Sequence, residues 1–204
     1  MADYRKHIGI GSLTGIVYGS VCYFVYGINL IQAVAIATVA EIGSIVPDID
    51  SDTSKPRQIV LGILGITIPT ILACNYVKTN SLESTFCLVL FSYLVIQHIL
   101  PPIFAKYTCH RGLFHSIPMG ILFSEWIYIL FSESGKKVAL IYATACFVGY
   151  LSHLILDELF SIKLNELNVK RSFGTALKFT GSSKLQTILL YFLIFCSAVG
   201  CILV

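Results

Sequence analysis

The chain predicts an all-α fold, a multi-pass bundle of transmembrane helices, and three observations carry that prediction. Of its 204 residues 56% are hydrophobic and only 12% are charged, against about 25% charged in a soluble domain. Seven apolar stretches can be drawn, at 8–27, 30–46, 58–76, 85–105, 117–132, 138–156 and 185–204, several near the length of roughly 20 residues that spans a bilayer as a helix. Four of the five Asp and four of the five His fall at the ends of these stretches. The expectation is six to seven membrane segments in one domain, 1–204, with a metal site at the cytoplasmic helix ends.

The first stretch follows Arg5 and Lys6, a charged start that also fits a signal peptide. Its length is that of a full span and no A-x-A-like cleavage site follows, so it reads as a retained helix. Gly11, Gly15 and Gly19 recur every four residues along it and form a smooth stripe for close approach of a neighbour. The second stretch ends at Pro47, because proline disfavours helix in the residue before it. The second and fifth stretches are short for a span, which suits tilted, buried or partly re-entrant segments. The fourth holds His98 and reaches the Pro101-Pro102 break. The fifth has Ser116 as its N-cap candidate and carries Glu125, read as structural. The sixth ends on His153 and Asp157 and is followed by a long loop at about 158–184.

Alternate threading places His7, Asp48, Asp50, His110, His115, His153 and Asp157 on one face. It also places eleven basic residues there (Arg5, Lys6, Lys55, Arg57, Lys106, Arg111, Lys163, Lys170, Arg171, Lys178 and Lys184), against Lys78, Lys136 and Lys137 opposite. By the positive-inside rule that face, with the N-terminus, is cytoplasmic. A net charge of +3 gives no support for nucleic-acid binding. The seven cysteines form no C-x-x-C pair, and most lie inside apolar runs, where a thiol behaves as a small hydrophobe. Cys109 is read as a bystander of His110.

Each candidate group has an ordinary alternative. Asp48 and Asp50, two apart after Pro47, can face one centre or bridge two; Asp-rich turns also simply end helices in water, as Asp52 would. His153 and Asp157, four apart, share one helix face, either as two ligands or as a carboxylate orienting an imidazole; a plain hydrogen bond sealing a helix end is as good a reading. His110 and His115 do not share a helix face, but Gly112 permits a turn that brings both inward. Arg111 between them suits a bidentate anion contact or lipid head groups. His7 alone reads as an interfacial histidine. Glu41, two turns before Asp48, costs about 2.5–3.5 kcal/mol within a span, which marks it as a ligand, base or orienting group. Lys170 and Arg171 in the long loop suit phosphate binding or docking on anionic lipid.

Imidazole and carboxylate donors suit zinc foremost, with manganese or iron as alternatives. More donors than one tetrahedral ion needs imply two or three divalent ions, an arrangement suited to phosphoester hydrolysis.

Together His7, Pro47-Asp48-Ile49-Asp50, His110-Arg111-Gly112-x-x-His115-Ser116 and His153-x-x-x-Asp157 resemble the membrane-bound metal-dependent hydrolase family typified by the bacterial inner-membrane protein YdjM. That family is in turn distantly similar to zinc-dependent phospholipase C and P1 nuclease. The resemblance covers residues 7–157 and implies a helical metallohydrolase with His7, Asp48, Asp50, His110, His115, His153 and Asp157 at the metal positions. The stretch Glu158-Leu159-Phe160-Ser161-Ile162 departs from the Thr/Gly/Pro-containing segment that often follows the last Asp in that family. The expected activity is hydrolysis of a phosphoester in a membrane lipid or lipid-linked substrate, with Arg111 and Glu41 in catalysis and Arg111, Lys170 and Arg171 on the phosphate. A transporter and a metal-stapled structural protein are the rival readings.

Overall fold

The fold was analysed in a computed structural model, which describes residues 4–50, 55–102, 112–163, 168–169, 177–181 and 183–204, and of residues 4, 5, 50, 55, 56, 59, 63, 67, 71, 75, 162, 163, 168 and 169 the backbone alone. Seven α-helices form among them: α1 (Tyr4–Tyr26), α2 (Leu30–Ile45), α3 (Lys55–Tyr76), α4 (Leu82–Leu94), α5 (Ile117–Leu130), α6 (Lys136–Leu159) and α7 (Lys184–Leu203). Each corresponds to one apolar stretch. Five stretches are long and apolar enough to cross a membrane: Lys6–Tyr26, Leu30–Ile49, Leu82–Pro102, Lys136–Leu159 and Lys184–Leu203. The second stretch, short by sequence, qualifies because a 3-10 turn at Val46–Asp50 continues α2. Val46 keeps α-helical angles (φ −54°, ψ −40°) and its N–H still bonds Ile42 O, so Pro47 tightens the helix rather than stopping it. The fifth stretch does remain short, at Ile117–Leu130.

The chain divides into two compact units, one of residues 1–47 with 111–204 and the other of residues 48–110. The second unit is α3 against α4. Helix α3 continues through Pro69, and α4 passes through a π-helical turn at Val95–Ile99. Gln97 Nε2 donates to Leu61 O at 2.8 Å, and the buried Arg57 guanidinium donates to Pro101 O. His98 is exposed on this unit.

The first unit holds α1, α2, α5, α6 and α7. Helix α2 starts on a capping box: Asn29 Oδ1 accepts from Gln32 N at 2.8 Å, and Gln32 Oε1 accepts from Asn29 N at 3.4 Å. Its core joins Cys22 and Ile28 to Ala33, Ile36 and Ala40 of α2 and to Ile141, Tyr142 and Ala145 of α6. The outward faces stay apolar: Phe24 is 81% exposed, Ile31 83% and Ile202 77%. Such a surface is stable only in hydrocarbon.

Glycines set the helix spacing. A Cβ on Gly15 would stand 2.4 Å from Ala37 O, and one on Gly19 2.7 Å from Ala33 O, so the stripe read from the sequence is the α1–α2 contact. Helix α6 meets α2 the same way, through Gly43 against Cys146 O and Gly149 against Ala40 O, at 2.4 and 1.8 Å for the added Cβ. Membrane helices with little hydrophobic drive to associate depend on such close backbone approach. Gly15→Ala is therefore expected to destabilise the protein by about 1–3 kcal/mol through overpacking. Gly9→Ala, with nothing within 4 Å of the new methyl, should not. Thermal unfolding of the two variants in one detergent checks this.

After α6 the chain forms a two-residue antiparallel pair, Ile162–Lys163 with Asn168–Val169. The sixth helix runs to Leu159, past the end of the apolar stretch at 156, and holds Asp157 on the same helix as His153, as expected.

Candidate metal centre

Three helix ends of the first unit converge with the turn before α5. Helix α1 brings His7, that turn brings His115, and α6 brings His153 and Asp157. All are buried, with relative exposures of 3%, 0%, 1% and 0%. Burying a carboxylate without compensation costs several kcal/mol, so the local donors around Asp157 decide what the cluster is. His7 Nε2 lies 3.4 Å from Asp157 Oδ1, and His115 Nε2 lies 3.8 Å from Asp157 Oδ2. The His7 and His153 rings stack at 3.9 Å with 17° between planes. His115 meets His153 edge-on at 5.5 Å.

Both N···O separations exceed the range of about 2.7–3.2 Å for direct hydrogen bonds. They approach the spacing of two ligands on one tetrahedral ion: bonds of about 2.0–2.2 Å put ligand atoms about 3.3–3.6 Å apart. Donor atoms of His115, His153 and Asp157 all lie within 4.8 Å of one another. His7 Nδ1 is buried and has no hydrogen-bond partner among the described residues.

His153 carries the clearest orientation. Its Nδ1 is 2.7 Å from Ser44 O. A carbonyl only accepts, so the Nδ1 proton points to Ser44 and, in the neutral ring, Nε2 presents its lone pair. A backbone carbonyl fixing the far nitrogen is how proteins commonly orient a metal-ligating histidine. Ser44 is itself fully buried, and its hydroxyl donates to Glu41 O at 2.7 Å.

The chain is held on both sides of His115. Tyr150, fully buried on α6, donates its hydroxyl to Phe114 O. Its ring packs where a Cβ on Gly120 would lie 2.8 Å away. Ile117 N donates to Lys178 O at 3.0 Å, so the end of the long loop returns beside Ser116. Ser116 occupies the N-cap position of α5, as expected, but makes no capping hydrogen bond. Its hydroxyl donates to Leu113 O instead. Pro118 in the first turn suits a helix start.

The structure thus brings together His7, His115, His153 and Asp157. Asp48 is half-buried in the 3-10 turn and opens the second unit; the backbone of Asp50 ends that turn. Glu41 is half-buried on α2, one turn before Ser44, and its carboxyl is not among the grouped donors. His110, Arg111, Lys170, Arg171, Asp52 and Cys109 lie outside the described residues, as does the side chain of Asp50. The described cysteines are free thiols.

Sequence reasoning missed Ser44, whose carbonyl holds the His153 ring, and Tyr150, whose hydroxyl holds the carbonyl before His115. A serine between apolar residues and a tyrosine inside a span carry no spacing signal. The helix periodicity does hold one: Tyr150, His153 and Asp157 share a face, three and four residues apart.

No curated protein and no solved structure matches the chain. The model of the YdjM inner membrane protein family matches residues 2–201, across both units. With that match over nearly its whole length, the chain belongs to the YdjM inner membrane protein family.

Proposed function

We propose that this protein is a multi-pass metal-dependent hydrolase of the inner membrane, acting on a phosphoester of a lipid or lipid-linked substrate at the cytoplasmic leaflet. One observation carries the metal reading: a buried carboxylate faced by two imidazole nitrogens at 3.4 and 3.8 Å, beside a third imidazole oriented by a backbone carbonyl. His7, His115, His153 and Asp157 would hold a divalent ion, zinc foremost, with manganese or iron as alternatives. Such an ion supplies Lewis acidity and a nucleophile at neutral pH. By sequence, the Asp48-x-Asp50 and His110 motifs supply donors for a second or third ion.

The chain's own groups have separable roles in this reading. Ser44 O holds the His153 ring, and Tyr150 holds the carbonyl beside His115. Arg111, with Lys170 and Arg171, binds the phosphate, and Glu41 serves as a base or orienting group. The eleven-to-three distribution of basic residues supports a cytoplasmic N-terminus.

A second reading also has an observation behind it. The four clustered side chains are at most 3% exposed, which suits a closed metal staple without turnover. Elemental mass spectrometry on detergent-purified protein, wild type beside His153→Ala, tests the shared premise. At least one zinc, manganese or iron ion per chain, lost in the variant, is expected; a metal-free wild type after reconstitution sinks both readings. Metal-dependent release of phosphate or a phosphorylated head group from lipid phosphoesters then separates them. Loaded protein that cleaves none of these leaves the staple.

A further inference from the structure

Of the four clustered side chains, His115 alone is not carried by a helix. His7 stands on α1 and His153 and Asp157 on α6, whereas His115 lies in the turn of residues 112–116. A ligand on a turn is only as fixed as the contacts that hold the turn. On one side these come from α6, through Tyr150 and Phe114 O. On the other side they come from the end of the long loop, residues 177–181, which lies across the turn as a strap.

The strap meets both ends of the turn. A Cβ on Gly181 would stand 2.7 Å from Leu113 Cδ1, so the backbone there is packed on Leu113. Lys178 bridges Ser116 in parallel register, and its carbonyl accepts from Ile117 N at 3.0 Å. That N–H belongs to the first turn of α5, where no helical partner exists and Ser116 supplies no cap. The strap in turn is held by α7. Gly181 N donates to Thr187 Oγ1 at 3.0 Å, and the Thr187 hydroxyl donates to Ser183 O at 3.0 Å. The Tyr191 hydroxyl donates to Phe179 O at 3.1 Å. Thr187 and Tyr191 are four residues apart and share one face of α7. Both engage backbone atoms of the strap, so they fix its course whatever its side chains.

We infer that Thr187 and Tyr191 are positioning residues of the metal centre: through the strap they hold the turn of His115 where its imidazole faces Asp157, at 3.8 Å. The inference rests on the metal reading above and gives α7 a part in that site. Neither residue is a ligand. Release of the strap uncovers Leu113 and Ile117 N together, and the turn then keeps its Tyr150 contact on the other side.

Zinc affinity of the full chain in detergent, measured by competition with a chelator, tests this, with the absorption bands of the cobalt(II)-loaded protein as a report on ligand geometry. Groups that orient a ligand directly cost about 10–100-fold in affinity when changed. Thr187→Val combined with Tyr191→Phe acts one step further out and should cost about tenfold, the low end of that range, with altered cobalt bands. Thr187→Ser keeps the hydroxyl and should bind as wild type does. Gly200→Val lies toward the other end of α7, where a Cβ would stand 3.3 Å from Ile129 Cδ1. It should lower the melting temperature and leave affinity and cobalt bands unchanged. A double variant that matches wild type in both readouts would overturn the inference, as would an equal loss of affinity in Gly200→Val. Where the double variant fails to fold, Tyr191→Phe alone decides: loss of its one hydrogen bond should lower affinity about threefold, and wild-type affinity would count against the inference. A wild type that takes up neither zinc nor cobalt overturns the metal reading and this inference together; a metal-binding wild type with unaffected variants overturns this inference alone.

Discussion

Asp157→Asn is expected to strip bound metal from the protein while leaving its helices intact. Asparagine matches aspartate in size and shape, so α6 keeps its packing against α2. What changes is charge. The two Asp157 oxygens face His7 Nε2 at 3.4 Å and His115 Nε2 at 3.8 Å, and one of them becomes an NH2 group with no lone pair to give. Changes to groups that merely orient a ligand cost about 10–100-fold in metal affinity; loss of a ligand should cost at least the upper end of that range. Metal per chain should fall from at least one ion to a trace, and any phosphoesterase activity should fall with it, with far-UV circular dichroism unchanged. If Asp157 only seals a helix end by hydrogen bonding, wild type and variant will both be metal-free. The same comparison thus tells a ligand from a seal.

The course of the chain was legible because burial in lipid leaves long apolar stretches, and each stretch became a helix. Ends were less legible. The apolar stretch of α6 ends at 156, with Asp157 expected on the same helix face as His153; the helix continues to Leu159 and buries Asp157 completely. Hydropathy stops at the first charged residue, but the helix stops only where its backbone does. His7 shows the same limit. A histidine at the start of a span looks interfacial by sequence, whereas in the fold His7 stacks on His153 of α6 and is 3% exposed. The glycine stripe of α1 was readable because it repeats along one helix. The α2–α6 contact was not, since Gly43 fits Cys146 and Gly149 fits Ala40. That complementarity belongs to two helices at once and leaves no period in either.

Gly149→Val should consequently damage the metal site from a distance. A Cβ at Gly149 would lie 1.8 Å from Ala40 O and 2.7 Å from its carbonyl carbon. These are backbone atoms, so no side chain can swing aside and the helices must separate. Overpacking of this kind costs about 1–3 kcal/mol, or roughly 2–12 °C of melting temperature for a chain this long. The site feels it directly. Ala40 and Gly149 each sit about one turn from a partner in the His153–Ser44 hydrogen bond, which is 2.7 Å long. A separation of even about 1 Å takes that bond beyond the usual range and frees the His153 ring. Gly11 plays the same part for His7 on α1, since a Cβ there would lie 1.9 Å from Ser44 Oγ. Gly11 thus approaches Ser44 itself and Gly149 approaches Ala40 one turn before it, each glycine one turn from a histidine of the cluster. Gly149→Val should lose both melting temperature and bound metal, whereas Gly9→Ala should lose neither. A variant that melts lower yet keeps its full metal content would show that the cluster is held by something other than the helix crossing, and would leave Ser44 without its assigned role.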